Sequence, residues 1–484
     1  MVITSVLAGS SRPLRACGGH SIRTISTLLH RQASHAAVAE RVVYNPPVPN
    51  HDSSKPLSDG VDEFWRKIPG WEGVSADEFI SYRWSCRNLV EGRPKLHRFL
   101  ERVLPERIPV YGPSGTMEPR ERLIEDVYHG LDEATMPYTL SRIDWSNPRN
   151  DPIFRQFIPT GSTRQPDHPR LTLDSLEEKA DSPVQGLVHR YPDKALFLPL
   201  SVCPTYCVYC TRSYAVGANT DSVAKDSLKP GLSRWEEVIR YIQRTPAIQD
   251  IVVSGGDSYQ LAPHHVEMIG NWLISIPHVR RFRFASKGLA VCPTRILDCN
   301  DSWTDALISV SDKARKAGKA MALHTHFNHP NEISWITEKA SQRLFEAGVM
   351  VRNQSVLLRG INDDVATMST LIRRLADNNI FPYYVYQHDM VRESEHLRTP
   401  LQTILDLEAN IRGSIAGFMM PQFVVDLPGG GGKRLASTFR SYDRKTGVST
   451  YVAPAVKSRG KENKVYEYHD PVDSLPADAL RASG

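Results

Sequence analysis

No stretch of this chain approaches the run of about 20 apolar residues that a membrane-spanning helix needs. Cysteine is scarce. There are seven in 484 residues, an odd number, scattered apart from one triplet, and none follows Cys299. That excludes a secreted disulfide framework and suits a reducing compartment. A one-signed charge is missing too. The formal net charge is +5, but residues 1–41 carry Arg12, Arg15, Arg23, Arg31 and Arg41 against Glu40 alone, so the remainder is nearly neutral. No global basic field exists to attract nucleic acid. At 40% hydrophobic and 23% charged, the composition is that of an ordinary globular protein. The length suggests two or three domains, or one large α/β domain with additions.

Residues 1–45 are rich in Arg, Ser, Thr and Ala and nearly free of acids, the composition of a mitochondrial transit peptide. The expected location is the mitochondrial matrix, and otherwise the cytoplasm. Residues 46–180 read as a linker followed by a mainly helical region, with helical periodicity over Ala76–Leu89, Pro94–Val103 and Pro119–Tyr128 and a loop-like stretch at Asp144–Pro169. Between 181 and 433 the pattern changes. Strand candidates are Ala195–Leu200, Asp250–Ser254, Arg281–Ala285, Ala320–His326, Val349–Leu358, Phe381–Gln387 and Gln422–Leu427, and helical stretches lie between them. Such alternation predicts an α/β fold: a largely parallel sheet with right-handed crossovers, curled into a full or partial (βα) barrel whose site lies at the C-terminal strand ends. Residues 434–484 form a polar C-terminal extension.

Three motifs carry chemistry. Cys203, Cys207 and Cys210 follow the first of these strands at a C-x3-C-x2-C spacing. Three thiolates on one loop can hold three corners of a 4Fe-4S cubane, leaving the fourth iron open to an exchangeable ligand. Ser254-Gly255-Gly256-Asp257 closes the second strand; the glycines permit close approach to a ligand and the acid can take an amino group. Phe423 to Lys433 runs through Asp426 and four consecutive glycines, which leave room for a flat ligand, and ends on a lysine suited to a Schiff base.

Together these motifs resemble the lysine 2,3-aminomutase family of radical S-adenosylmethionine enzymes. The likeness extends over Asp181-Ser-Pro-Val, His189-Arg-Tyr-Pro-Asp193, Thr325-His-Phe-Asn-His-Pro-Asn-Glu332, Asn353-Gln-Ser-Val-Leu-Leu-Arg-Gly360 and Glu395-His-Leu-Arg-Thr-Pro400. It implies a radical SAM-type partial (βα) barrel and the conversion of L-lysine to β-lysine by moving the 2-amino group to the β-carbon. It also implies a 4Fe-4S cluster on the three cysteines, with S-adenosylmethionine beside Gly255, Gly256, Asp257, His326 and Gln354. Pyridoxal phosphate would sit on Lys433, its phosphate facing Arg190 and Lys194. Arg212 would grip the substrate α-carboxylate, and Asp389 and Asp426 would receive the ε-ammonium of lysine. The expected partners are the amino-acid substrate, an electron donor for the cluster and a second copy of the chain in a homo-oligomer, with neither nucleic acid nor membrane.

Two positions depart from the family pattern. Asp364 stands where a zinc-binding cysteine is usual, and no cysteine occurs in the tail, so no zinc is expected. Ser286-Lys-Gly-Leu-Ala replaces the usual Ser-Arg-Thr-Pro-Val. Two further readings share the same residues: the same chemistry on a different amino acid, and a non-catalytic iron–sulfur protein on the same scaffold.

Overall fold

Parallel strands buried on both faces need helices to cover them, and the chain supplies these in strict alternation. In the computed structural model, which describes residues 62–476 apart from 128–133, 218, 220–222, 227, 455, 457–459 and 462, nine strands form one curled sheet. In chain order they are β1 (Leu187–Val188), β2 (Lys194–Phe197), β3 (Asp250–Val253), β4 (Arg281–Ala285), β5 (Ala320–Thr325), β6 (Met350–Val356), β7 (Ile380–Tyr386), β8 (Gln422–Leu427) and β9 (Gly432–Leu435). Their spatial order is their chain order. β2 through β8 are parallel, and β1 and β9 pair antiparallel at the two edges. The α/β half-barrel expected from sequence is therefore the fold observed. The transit-peptide and linker readings fall on residues 1–60, outside the described residues.

Where strands differ from expectation, a local cause is visible. β2 stops at Phe197 because Pro199 has no N–H to offer a ladder, and the Leu198 N–H turns instead to the Gly186 carbonyl at 2.7 Å. β1 and β9 are too short, and too rich in glycine at β9, to show a period of two. The helix expected over Ala76–Leu89 is two helices, Ala76–Ile80 and Tyr82–Arg87. Ser81, with extended backbone, ends the first, and its hydroxyl accepts the Trp84 N–H to cap the second.

The N-terminal region packs on the half-barrel through aromatics. Trp65 stacks on Phe79 at 4.3 Å, and one hydrophobic core continues from Phe64 to Tyr468. Buried Tyr138 links it to the barrel by bonds to Ser334 and Thr337 at the start of helix Trp335–Glu346. The stretch read as loop at 144–169 contains a buried helical turn, Phe154–Phe157. Residues after 440 form a three-stranded antiparallel sheet, β10 (Ser441–Asp443), β11 (Val448–Val452) and β12 (Val465–His469). It docks against the segment leaving β7: the Tyr468 hydroxyl donates to the His388 carbonyl at 2.9 Å, and Asp470 accepts the Leu401 N–H at 2.8 Å.

Candidate active site

A cavity of about 830 Å³ runs along the inner face of the half-barrel to the C-terminal strand ends, and every candidate site residue named above lines it. Parallel strands in register bring this about, because the loops after β2, β3, β5, β6, β7 and β8 all open at one end.

The cysteine loop is held from two sides. On one, the β3 loop zips onto it: Gly256 N–H donates to Leu200 at 2.7 Å and Asp257 N–H to Val202 at 2.9 Å. A Cβ on Gly255 would lie 2.2 Å from the Leu200 carbonyl, and one on Gly256 2.3 Å from that of Val202. The glycines thus serve backbone-to-backbone contact with the cysteine segment. On the other side the Gln156 carbonyl accepts the Val208 N–H at 2.9 Å, and its side chain meets Tyr209 and Asn328. Gln156 comes from the stretch read as loop, and no sequence signal marked it.

Cys203, Cys207 and Cys210 form no disulfide and are partly exposed to the cavity. Burial pushes the Cys207 thiol up to about 12, so an electropositive partner is needed to hold it as thiolate. Among the described residues no three ligating side chains converge on one metal ion. A cubane asks for something else, one thiolate on each of three irons, and three cysteines on one cavity-lining loop suit that.

Asp257 does not present a free carboxylate. Its oxygens accept the Tyr259 and Lys287 N–H groups at 2.8 and 2.7 Å, which fixes the start of the β4 loop. A carboxylate has about four acceptor positions, so these two amides do not by themselves preclude the amino group expected there. Lys287, noted in the sequence only as a departure, is buried; its ammonium donates to the His326 carbonyl at 2.6 Å and to Glu332 at 2.9 Å. Burial, then the Lys287 charge, hold His326 neutral, its pKa well below the ordinary value. His326 Nδ1 is buried without a hydrogen-bond partner among the described residues, an orphaned polar atom that suits a bound ligand. A register shift between Asn353 and Gln354 in β6 lets Gln354 line the cavity as well.

At the far strands β8 and β9 set Asp426 directly opposite Lys433. The two form an ion pair under the Tyr386 ring, and the Tyr191 hydroxyl accepts the Lys433 N–H at 3.0 Å. Burial opposes the Lys433 ammonium, but Asp426, Tyr386 and Tyr191 outweigh it and hold the pKa well above its usual value. The glycine run is not an open bed for a flat ligand. A Cβ on Gly430, at φ +74°, would meet Lys461 Nζ at 2.3 Å and the Leu176 carbonyl at 3.2 Å, so the hairpin turn is packed against segment 174–181 and the C-terminal extension. Asp426 Oδ1 and Asp389 Oδ1 are buried with no partner among the described residues. Burial, then Asp426, raise the Asp389 pKa to about 8. Such a pair accepts a cation readily.

Arg190 and Arg212 each already hold a carboxylate. Arg190 Nε donates to Asp181 at 2.7 Å, and Arg212 donates through Nε and Nη2 to Glu178 at 2.9 Å each. Sequence reading missed Glu178, which lies eleven residues before His189 and just outside the Asp181-Ser-Pro-Val stretch. Lys194 reaches Asp193 at 3.5 Å and lies over the Tyr191 ring. Asp364 caps helix Val365–Asp377 by accepting the Thr367 N–H at 2.8 Å.

No family model matches the chain. It is 38% identical over 411 residues to L-lysine 2,3-aminomutase of Clostridium subterminale, covering 85% of this chain and 89% of that protein. With L-lysine 2,3-aminomutase of Fusobacterium nucleatum it shares 36% over 360 residues, 74% of this chain and 77% of the relative. Glutamate 2,3-aminomutase of Clostridioides difficile is 30% identical over 362 residues, covering 74% and 76%. The chain belongs to the lysine 2,3-aminomutase family. It is an enzyme of the isomerase class. No helix among the described residues is long and apolar enough to cross a membrane. The family relatives are bacterial or archaeal and lend the mitochondrial expectation no support.

Proposed function

We propose that this aminomutase family member moves the 2-amino group of L-lysine to its β-carbon, giving β-lysine, with a 4Fe-4S cluster, S-adenosylmethionine and pyridoxal phosphate. The observation that carries the reading is the pair Asp389 and Asp426, each with a buried spare oxygen, in the cavity that Lys433, Arg212 and the three cysteines also line. When bound, the cluster and S-adenosylmethionine supply a hydrogen-abstracting radical, and pyridoxal phosphate supplies the electron sink for nitrogen migration.

The chain's own residues position and exclude. Cys203, Cys207 and Cys210 would hold the cluster, with His326 and Gln354 beside S-adenosylmethionine. Lys433 would carry pyridoxal phosphate on Nζ, which requires that its proton leave, and Arg190 and Lys194 would face the phosphate. Arg212 would take the α-carboxylate. The spare oxygens of Asp389 and Asp426 would take the ε-ammonium, whose charge relieves two acids that otherwise repel each other. Tyr386 and Tyr191 cover Lys433 and limit water around it.

Anaerobic reconstitution with iron, sulfide, reductant, S-adenosylmethionine and pyridoxal phosphate, followed by a screen of amino acids for 2,3-isomers, tests the proposal. L-lysine is expected to be the preferred substrate. Better turnover of glutamate, the substrate in the name of the Clostridioides difficile relative, would replace the lysine assignment with the same chemistry on another amino acid.

A further inference from the structure

One short segment answers two of the cavity's arginines: Asp181 takes Arg190 and Glu178 takes Arg212. Glu178 is 4% exposed and accepts a third bond from the Tyr214 hydroxyl at 2.8 Å. Its backbone is pinned as well. The N–H groups of Glu178 and Lys179 both donate to the Asp174 carboxylate at 3.0 Å, and Lys461 holds Asp181 at 3.0 Å. Moving Glu178 aside for an incoming ligand would strand a buried charge, so the carboxylate stays where it is.

A guanidinium carries five N–H groups in one plane. Glu178 consumes the edge formed by Nε and Nη2. The edge formed by Nη1 and Nη2 remains, and Nη1 makes no hydrogen bond among the described residues although Arg212 lines the cavity. Two parallel N–H groups on that edge match a second carboxylate. We infer that Glu178 is a positioning residue that fixes the plane of the Arg212 guanidinium, so that its Nη1–Nη2 edge meets the α-carboxylate of the amino-acid substrate. This rests on the proposed aminomutase reading, in which Arg212 grips that carboxylate.

The test is a binding titration. Protein loaded with pyridoxal phosphate, without S-adenosylmethionine or reductant, is titrated with L-lysine and separately with L-lysinamide, following the visible absorbance of the cofactor. Glu178→Gln is expected to weaken L-lysine about tenfold and to leave L-lysinamide within about twofold. Removing a negative charge next to Arg212 would by itself strengthen carboxylate binding, so a loss reports orientation. In an Arg212→Lys background Glu178→Gln should add nothing, since one residue acts through the other. Tyr214→Phe keeps Glu178 and removes one of its bonds; a smaller loss confined to L-lysine is expected, and this variant carries the test if Glu178→Gln does not fold. Unchanged L-lysine binding in Glu178→Gln, equal losses for both ligands, or effects that multiply with Arg212→Lys would overturn the inference alone. No response of the unmutated, loaded protein to L-lysine would overturn the proposed substrate, and this inference with it.

Discussion

Lys433 and Asp426 face each other across a two-stranded turn, and each residue's state depends on the other's. Lys433→Ala would leave the buried Asp426 carboxylate without its ion-pair partner. A sealed ion pair broken on one side costs about 3–5 kcal/mol. The Lys433 side chain is 32% exposed to the cavity, so a loss of about 2 kcal/mol is expected here. Denaturant unfolding of ligand-free protein measures it, and the double variant Lys433→Ala/Asp426→Asn should recover most of the loss. If the double variant is as unstable as the single one, the stranded Asp426 charge is not the cause. Asp389 gives a second handle. Its folded pKa is raised to about 8, whereas an unfolded chain titrates near about 3.9. Between these values the folded form keeps a proton that the unfolded form has lost, so this carboxyl makes stability fall as pH rises from about 4 to about 8. Asp389→Asn removes that slope. Its melting temperature relative to unmutated protein should therefore climb between about pH 5 and about pH 8; a gap that stays constant or narrows would show that Asp389 ionises normally.

At the scale of elements, the cysteine loop is only as well placed as the β3 loop beneath it. Gly256→Ala would put a Cβ 2.3 Å from the Val202 carbonyl and 2.6 Å from its nitrogen, with backbone on both sides and nothing flexible to yield. A cost of about 1–3 kcal/mol is expected, with a shift of the segment leading to Cys203. Iron bound after reconstitution should drop well below that of the unmutated protein while secondary structure by circular dichroism is kept. Full iron loading would mean that the loop finds its geometry without this contact.

On the scale of the whole molecule, the C-terminal sheet reaches back to the site. The Tyr468 hydroxyl accepts from Gln387 and donates to the His388 carbonyl, gripping the peptide that carries Asp389. Tyr468→Phe is expected to cost about 1 kcal/mol in stability and, on the proposed function, to raise the KM for L-lysine more than it lowers kcat, since it loosens the acid proposed to face the substrate and touches no residue proposed to hold a cofactor. Kinetics of the reconstituted enzyme check this; a change in kcat alone would place the effect elsewhere.

What the sequence determined by itself is whatever lies in a short window: the cysteine triplet, the alternation of β-branched runs with helical periods, and the Asp426 to Lys433 stretch. Strands Arg281–Ala285 and Gln422–Leu427 have the same bounds in the sequence reading and the structure, because their ends are marked by local composition. Tertiary structure decided the rest, for a physical reason: a buried polar group takes its meaning from a partner, and partners lie far apart in the chain. Glu178 is 34 residues from Arg212, Gln156 is 172 from Asn328, and Lys461 is 280 from Asp181. Asp257 looks, in sequence, like a lone acid; only folding shows that two backbone amides orient its carboxylate. The glycine run likewise reads as open space until the chain brings Lys461 and Leu176 against it.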